Sequence, residues 1–591
     1  MTNQVTEDER RDRATLDGRI TFTTAAFGLG AGLLVLLDRV GLPQNIAVLA
    51  GFVLAVATLC AVGLFVRSVK ISTFYAAGRS IPATYGGLAA AACIAGVAMI
   101  FLPPLPDGLT LTAISLGLAA GVAILTLVSA PIIRKSGAFS MADLLALRFP
   151  ALAFRLVAIL VIAAICALTA LAGFEQAIRL LATELGLGRV AASVLIAAIL
   201  ILAVAPGGLA GLAWSAAAAG GILVATMLLP LLVLATRGSE LPLPFFGGQD
   251  VWAHASQRVA EWTNVGAGVE GATWLAMPIA LGMAGFAPLL SFAVASRNRS
   301  GAQRTQLAML IWLLVIGAAV MVIMAATALS LEVALLGQRP DRLADTIYRA
   351  SAEGWLNICG RIADGPAPAR AACAALPDFA AVLRPTDFTV SPGYLLFGLA
   401  DLRELGGAYR GLASAGWFVA CLALAAAGLQ GAATALGHDL AYRARDRFAI
   451  TSRRLATTRL LLLFCTIAAG AALAQTSPDP RLLTGLALTL SAAGIAPLLL
   501  LTLWPRAGSP EAFLALSTGV GTACALLLTA GPTSALPVSA LGQASLAGAA
   551  TAFAVGILAS LRPGAAAAPG TAFLDTLLHG HEDSLTAERG A

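Results

Sequence analysis

The sequence predicts an all-α polytopic membrane protein with about 14 transmembrane helices, and three observations carry that reading. Only 12% of the 591 residues are Asp, Glu, Lys or Arg, while 59% are hydrophobic and the mean hydropathy is +0.87. Soluble domains carry about 25% charged residues, so a chain of this length could not cover the several soluble domains it would form. The apolar residues run in stretches long enough for membrane helices, not in the alternating ten-residue strands of a barrel. Ala, Gly and Leu dominate and 6% is aromatic, a balance that lets membrane helices approach closely. A multidomain soluble enzyme, a nucleic-acid binder and a disordered chain are thereby excluded. No Walker motif, dinucleotide loop, Ser-His-Asp arrangement or Cys-x-x-Cys pair is present, so no enzyme is expected.

Taken in order, the apolar runs are Thr21–Leu37, Asn45–Val66, Pro82–Leu102, Leu109–Ile133, Arg155–Leu181, Val190–Val204 and Leu209–Ala235. After a polar loop come Thr273–Ser296 and Gln306–Leu335, and after a longer one Gly411–Gly437, Arg459–Ala474, Leu482–Leu501, Glu511–Thr529 and Leu541–Leu561. Alternating these helices puts every basic loop on one side. The N-terminal arginines, Arg67–Arg79, Arg134–Arg148, Arg297–Arg304, Arg443–Arg454 and Arg506 all fall together. The positive-inside rule then places both termini in the cytoplasm and the chain in the cytoplasmic (inner) membrane. The formal charge of +6 follows from those loops and needs no acidic partner. The first run is expected to be retained, because no small-x-small cleavage site follows it.

Two loops fall on the other side, Arg237–Gly271 and Gly337–Leu405. The longer one carries Cys359 and Cys373, whose spacing in an oxidising compartment reads as a disulfide. Charges inside the apolar runs are few. Glu175 and Arg179 stand four apart, either as a structural ion pair near the outer interface or with Glu175 as an outer-cavity acid. His438-Asp439 reads as a helix terminus at the cytoplasmic surface. The tail run His579-Gly580-His581 is too sparse for a metal site.

Four stretches, in order, carry a family resemblance. They are Phe74-Tyr75-Ala76-Ala77-Gly78-Arg79-Ser80-Ile81-Pro82, Arg134-Lys135-Ser136-Gly137-Ala138-Phe139-Ser140 with Asp143, Gly207-Gly208-Leu209-Ala210-Gly211-Leu212-Ala213-Trp214-Ser215, and His438-Asp439-Leu440-Ala441-Tyr442. Between the first two, Asp107-Gly108-Leu109 keeps the same order. Together they resemble the sodium/solute symporter family, and the last is similar to the His-Asp-Leu-Tyr ending of its acetate-permease branch. The resemblance implies a leucine-transporter-like core of two inverted five-helix repeats. These would be residues 82–236 and 273–504, the second including the external loop 336–410. Around them lie 1–81 with two extra helices, the external loop 237–272, two further helices in 505–561 and a cytoplasmic tail 562–591.

Such cores break one helix in each repeat and use the freed backbone groups at the midplane. The run Gly282-Met283-Ala284-Gly285-Phe286-Ala287-Pro288 is the most interrupted apolar helix, since Pro removes a hydrogen bond and clashes with the turn before it. Gly86, Gly87 and Gly96 mark the corresponding helix. Substrate is therefore expected at Cys93, Gly96, Gly285, Pro288 and Ser291, with the half-helix after the break turned toward an anion. The resemblance implies a small monocarboxylate such as acetate as solute and sodium as the ion, with no other cofactor. The chain departs from the family where the ion should bind. Cys93 stands for an acidic residue, and Gly96 and Met99 for two serines. Oxygens would have to come from the carbonyls of Ala92, Cys93 and Ala95 and from Gln430, Thr434 or water. Sodium coupling, proton coupling, no coupling, and a transporter-like sensor or partner of a small membrane subunit all remain open at this point.

Overall fold

The computed structural model describes residues 7–101, 111–236, 242, 249–263, 269–376, 379, 381–443, 451–531, 538–561, 573–575 and 577. The Asp107-Gly108-Leu109 stretch and the His579–His581 run lie outside them. Thirteen helices among the described residues are long and apolar enough to cross a membrane, and a shorter apolar helix, Arg189–Val204, stands among them. We number these fourteen in chain order. The first two are α1 (Gly18–Arg39) and α2 (Gln44–Phe65), followed by α3 (Ala83–Ile100), α4 (Leu116–Lys135), α5 (Leu152–Leu185), α6 (Arg189–Val204) and α7 (Leu209–Thr236). Then come α8 (Ala276–Val294), α9 (Arg299–Leu335), α10 (Gly407–Tyr442), α11 (Ser452–Gln475), α12 (Pro480–Thr502), α13 (Ser509–Ala530) and α14 (Ser539–Ser560).

Packing gives the order of these helices a two-fold pattern. Exchanging each of α3–α7 with the helix five places later maps one set of contacts onto the other. Helix α3 packs on α9 as α8 packs on α4; α5 packs on α12 as α10 packs on α7; and α6 packs on α11. Helix α10 is buried along nearly its whole length, while α1 is almost entirely exposed and leans chiefly on α2. Small residues at the crossings bring the backbones together. A Cβ at Gly96 would lie 2.7 Å from the carbonyl oxygen of Ala420, so α3 and α10 touch main chain to main chain there.

Helix α8 is broken where the Gly and Pro residues predict it. Its first half ends at Ala284, its second begins at Ala287, and Phe286 between them is extended. Three other segments, Leu125–Ser129 in α4, Ala435–Arg443 at the end of α10 and Ser491–Ile495 in α12, are π-helical. By contrast α3 is unbroken. Ala83–Ile100 is one continuous α-helix through Ala92, Cys93, Ala95 and Gly96. The expected unwinding there does not occur, because Ala-rich sequence favours the helix and no proline interrupts it.

The face opposite the basic loops carries a small substructure, called the outer substructure after the side the positive-inside rule assigns it. It comprises a helix (Gln249–Thr263), the outer end of α9, short helices, and two antiparallel strands β1 (Leu356–Ile358) and β2 (Phe388–Val390). Leu331, Tyr348, Leu356, Phe388 and Trp262 form its own apolar core, separate from that of the bundle. Cys359, just after β1, and Cys373 form a disulfide with Cα atoms 5.1 Å apart.

Candidate functional site

On the face bearing the basic loops, a cavity of about 40 Å³ opens between α5, the second half of α8 and α10. Ala287 and Ser291 line it from α8, Cys166 from α5, and Gln430, Thr434 and Asp439 from α10. Ser291 is turned back on its own helix, donating to the carbonyl of Pro288 at 2.6 Å. Gln430 is 3% exposed. Its amide donates to Thr434 Oγ1 at 3.3 Å, while its Oε1 has no hydrogen-bond partner. A buried amide oxygen without a donor costs about 1–3 kcal/mol. Here it stands at a cavity wall, where a cation or an N–H or O–H of a bound molecule would satisfy it.

The inner wall is a continuous polar network. Ser140 caps the helix Met141–Arg148, accepting from the N–H of Asp143 at 2.9 Å, and its hydroxyl donates to Asp439 Oδ2 at 2.8 Å. Asp439 Oδ1 is 2.9 Å from His438 Nδ1, and Arg454 of α11 lies 2.8 Å from His438 Nε2. A guanidinium can only donate, so Nε2 accepts and Nδ1 carries the hydrogen given to Asp439. Tyr75 packs its ring 4.6 Å from that of His438 and its hydroxyl lies 2.7 Å from Thr458 Oγ1. His438 and Asp439 are 1% and 2% exposed. They do not form the surface helix terminus expected from sequence, because the π-helical turn carries them into the bundle.

The structure brings Ser291, Gln430 and Thr434 together, with Pro288 in the first turn of the half-helix that lines the cavity. It does not bring Ala92, Cys93, Ala95 or Gly96 to this cavity. Their helix keeps its own hydrogen bonds, and these four are at most 3% exposed or packed on α10. Gly285 serves the break and close packing, since a Cβ there would lie 2.9 Å from the Ala496 nitrogen. Two carbonyls at the break are already used. Ser129 Oγ donates to Ala284 O at 2.6 Å and Ser491 Oγ to Gly282 O at 2.7 Å. Both serines belong to the π-helical segments of α4 and α12. Nor is the half-helix an open anion site. Leu289 and Leu290 both donate to Phe286 O, Pro288 has no N–H, and only Ala287 keeps one without a backbone acceptor.

Glu175 is fully buried, away from the cavity. It accepts from Arg179 at 3.1 Å, from Arg189 and from Ser477 at 3.3 Å, while Arg179 and Arg189 also hold the carbonyls of Pro478 and Leu473. This joins the ends of α5, α6 and α11. That arrangement matches the structural ion pair of the two alternatives the spacing leaves open.

Sequence reasoning missed Ser129, Ser491 and the arginine caps. Arg134, 3% exposed, donates to the carbonyls of Ser296 and Arg297 at the end of α8. Arg148, 2% exposed, donates to those of Thr502, Trp504 and Ala507 after α12. Ser140, three residues before Asp143, did carry a readable capping signal.

These features define a polytopic helical membrane protein with a leucine-transporter-like inverted-repeat fold. Residues 74–345 match the model of the Sodium:solute symporter family. A solved structure of a Na+-coupled sialic acid symporter, in a substrate-bound outward-open state, is similar to this chain. Its TM-score is 0.58 at 16% identity, covering 88% of this chain and 97% of that one. No curated protein matches the sequence significantly. The matched family and the protein of the similar structure are transporters, not enzymes.

Proposed function

We propose that the chain is a secondary transporter of the sodium/solute symporter family, in the cytoplasmic membrane with both termini inside. It moves a small organic solute by alternating access. The observation that carries this reading is the cavity beside the broken helix α8, with the unpartnered Gln430 oxygen in its wall. Likeness of His438–Tyr442 to the acetate-permease ending puts a monocarboxylate such as acetate or pyruvate first among solutes. The solute passes between α5, α8 and α10, and the Ser140–Asp439–His438–Arg454 network links loop, α10 and α11 on the inner side, where those elements must part.

A second reading concerns coupling. The continuous α3 offers no freed carbonyls, so the oxygen set that would hold sodium between α3 and α10 is not assembled. That favours proton-coupled or uncoupled transport, or a protein that binds solute without moving it and acts as sensor or partner subunit. Uptake of labelled acetate and pyruvate in a transport-null host, with and without sodium, tests both readings. Sodium-insensitive uptake supports the transporter and excludes sodium coupling. Binding by purified protein with no uptake in proteoliposomes selects the sensor.

A further inference from the structure

A second cavity, of about 50 Å³, lies at the opposite face, between the disulfide-bearing outer substructure and the ends of α5 and α10 nearest to it. Its floor is charged. Glu184 and Asp401 share one guanidinium, Arg410, at 3.1 and 3.4 Å, and Glu184 keeps only 7% of its side chain exposed. The lining sets three carboxyl groups, Glu184, Asp401 and Glu353, against two guanidinium groups, Arg410 and Arg349. The walls are aromatic. Trp355 is fixed by donating its indole N–H to Glu353 Oε2 at 3.1 Å, and Phe397 stands with it.

Tyr394 is the independent sign of a ligand. It is 5% exposed and lines this cavity, yet its hydroxyl has no hydrogen-bond partner. Burial pushes the phenol above its ordinary pKa, so it stays protonated and can both accept and donate. A buried hydroxyl left idle in a lining that holds one more carboxyl group than guanidinium groups fits a missing donor that carries positive charge.

We propose that this outer cavity binds a small organic ammonium ion. Its N–H groups would donate to Tyr394 Oη and to Asp401, and its carbon chain would lie against Trp355 and Phe397, where aromatic faces attract a cation. Sodium fits less well, since it gains nothing from the aromatic walls and needs several oxygens around it. A carboxylate is disfavoured by the sign of the floor. The site is separate from the inner cavity and does not depend on which solute is transported.

The test is calorimetric titration of the purified full-length protein in detergent with ethylammonium chloride, against a potassium chloride background. Saturable binding is expected, weakened at least fivefold in Tyr394→Phe and abolished in Asp401→Asn. Asp401 also braces Arg410, so its variant can lose folding; Tyr394→Phe removes only an unpartnered hydroxyl and keeps the test decisive. Absence of saturable heat, equal affinity in Tyr394→Phe, displacement by an equal concentration of sodium, or preferential binding of potassium acetate would each overturn the assignment.

Discussion

Gln430 separates function from stability more cleanly than any other side chain of the inner cavity. Its Oε1 is buried without a donor, so Gln430→Leu removes an unsatisfied acceptor at similar volume. The variant should keep or raise thermal stability, by up to about 1 kcal/mol. Uptake should fall tenfold or more if the amide contacts solute or ion. Melting temperature and initial uptake rate, measured on the same preparation, check the two halves, and unchanged uptake would remove Gln430 from the pathway. Arg148 shows the reverse balance. It lies outside the lining of the inner cavity but donates to three carbonyls at and beyond the end of α12. Arg148→Ala should cost about 2 kcal/mol or more, because charge-assisted bonds to buried carbonyls are lost together. Denaturation in detergent measures it, and Arg148→Lys should restore only part.

At the scale of elements, the break in α8 was readable and its consequence was not. Gly285 and Pro288 announce an interruption, since neither favours a helix interior. Nothing in the run itself tells that Ser129 and Ser491, on two other helices, would occupy the freed carbonyls. Each is a hydroxyl in a π-helical turn, and a π turn leaves no clear mark in an Ala/Leu-rich sequence. The double variant Ser129→Ala/Ser491→Ala should lose about 1 kcal/mol per bond and raise amide exchange around Gly282–Phe286. Hydrogen exchange by mass spectrometry reads that segment directly. The outer substructure is a second element-scale case. Its disulfide closes a short loop, worth about 3 kcal/mol on the chain-entropy model. Cys359→Ser should therefore loosen β1 and β2 to limited proteolysis while the bundle helices keep their helical signal.

The whole molecule was legible where physics acts through composition and spacing. The membrane class, the fourteen helices and their order follow from apolar length and the placement of charge, and the broken helix follows from one Gly/Pro run. The inner cavity was half legible. Ser291, Gln430 and Thr434 stood out as polar atoms in apolar helices, which must find a partner or a ligand. Cys93 and Gly96 were placed in a site by analogy with helices that unwind, and here the Ala-rich α3 stays wound and packs its glycine on α10. The His438–Asp439 network was illegible, because its members come from four separate segments brought together only by packing.

The arginine caps change what the basic loops mean. Arg134 and Arg148 count toward orientation in the sequence, yet in the folded protein both are buried and hold carbonyls at the ends of α8 and α12. Under the positive-inside rule, one set of side chains would thus serve as the address read during insertion and as the fastening closed afterwards. Moving those charges to the other face to invert the protein would also unfasten two helix ends. A chain rewired to enter the bilayer upside down would arrive without the means to close its core.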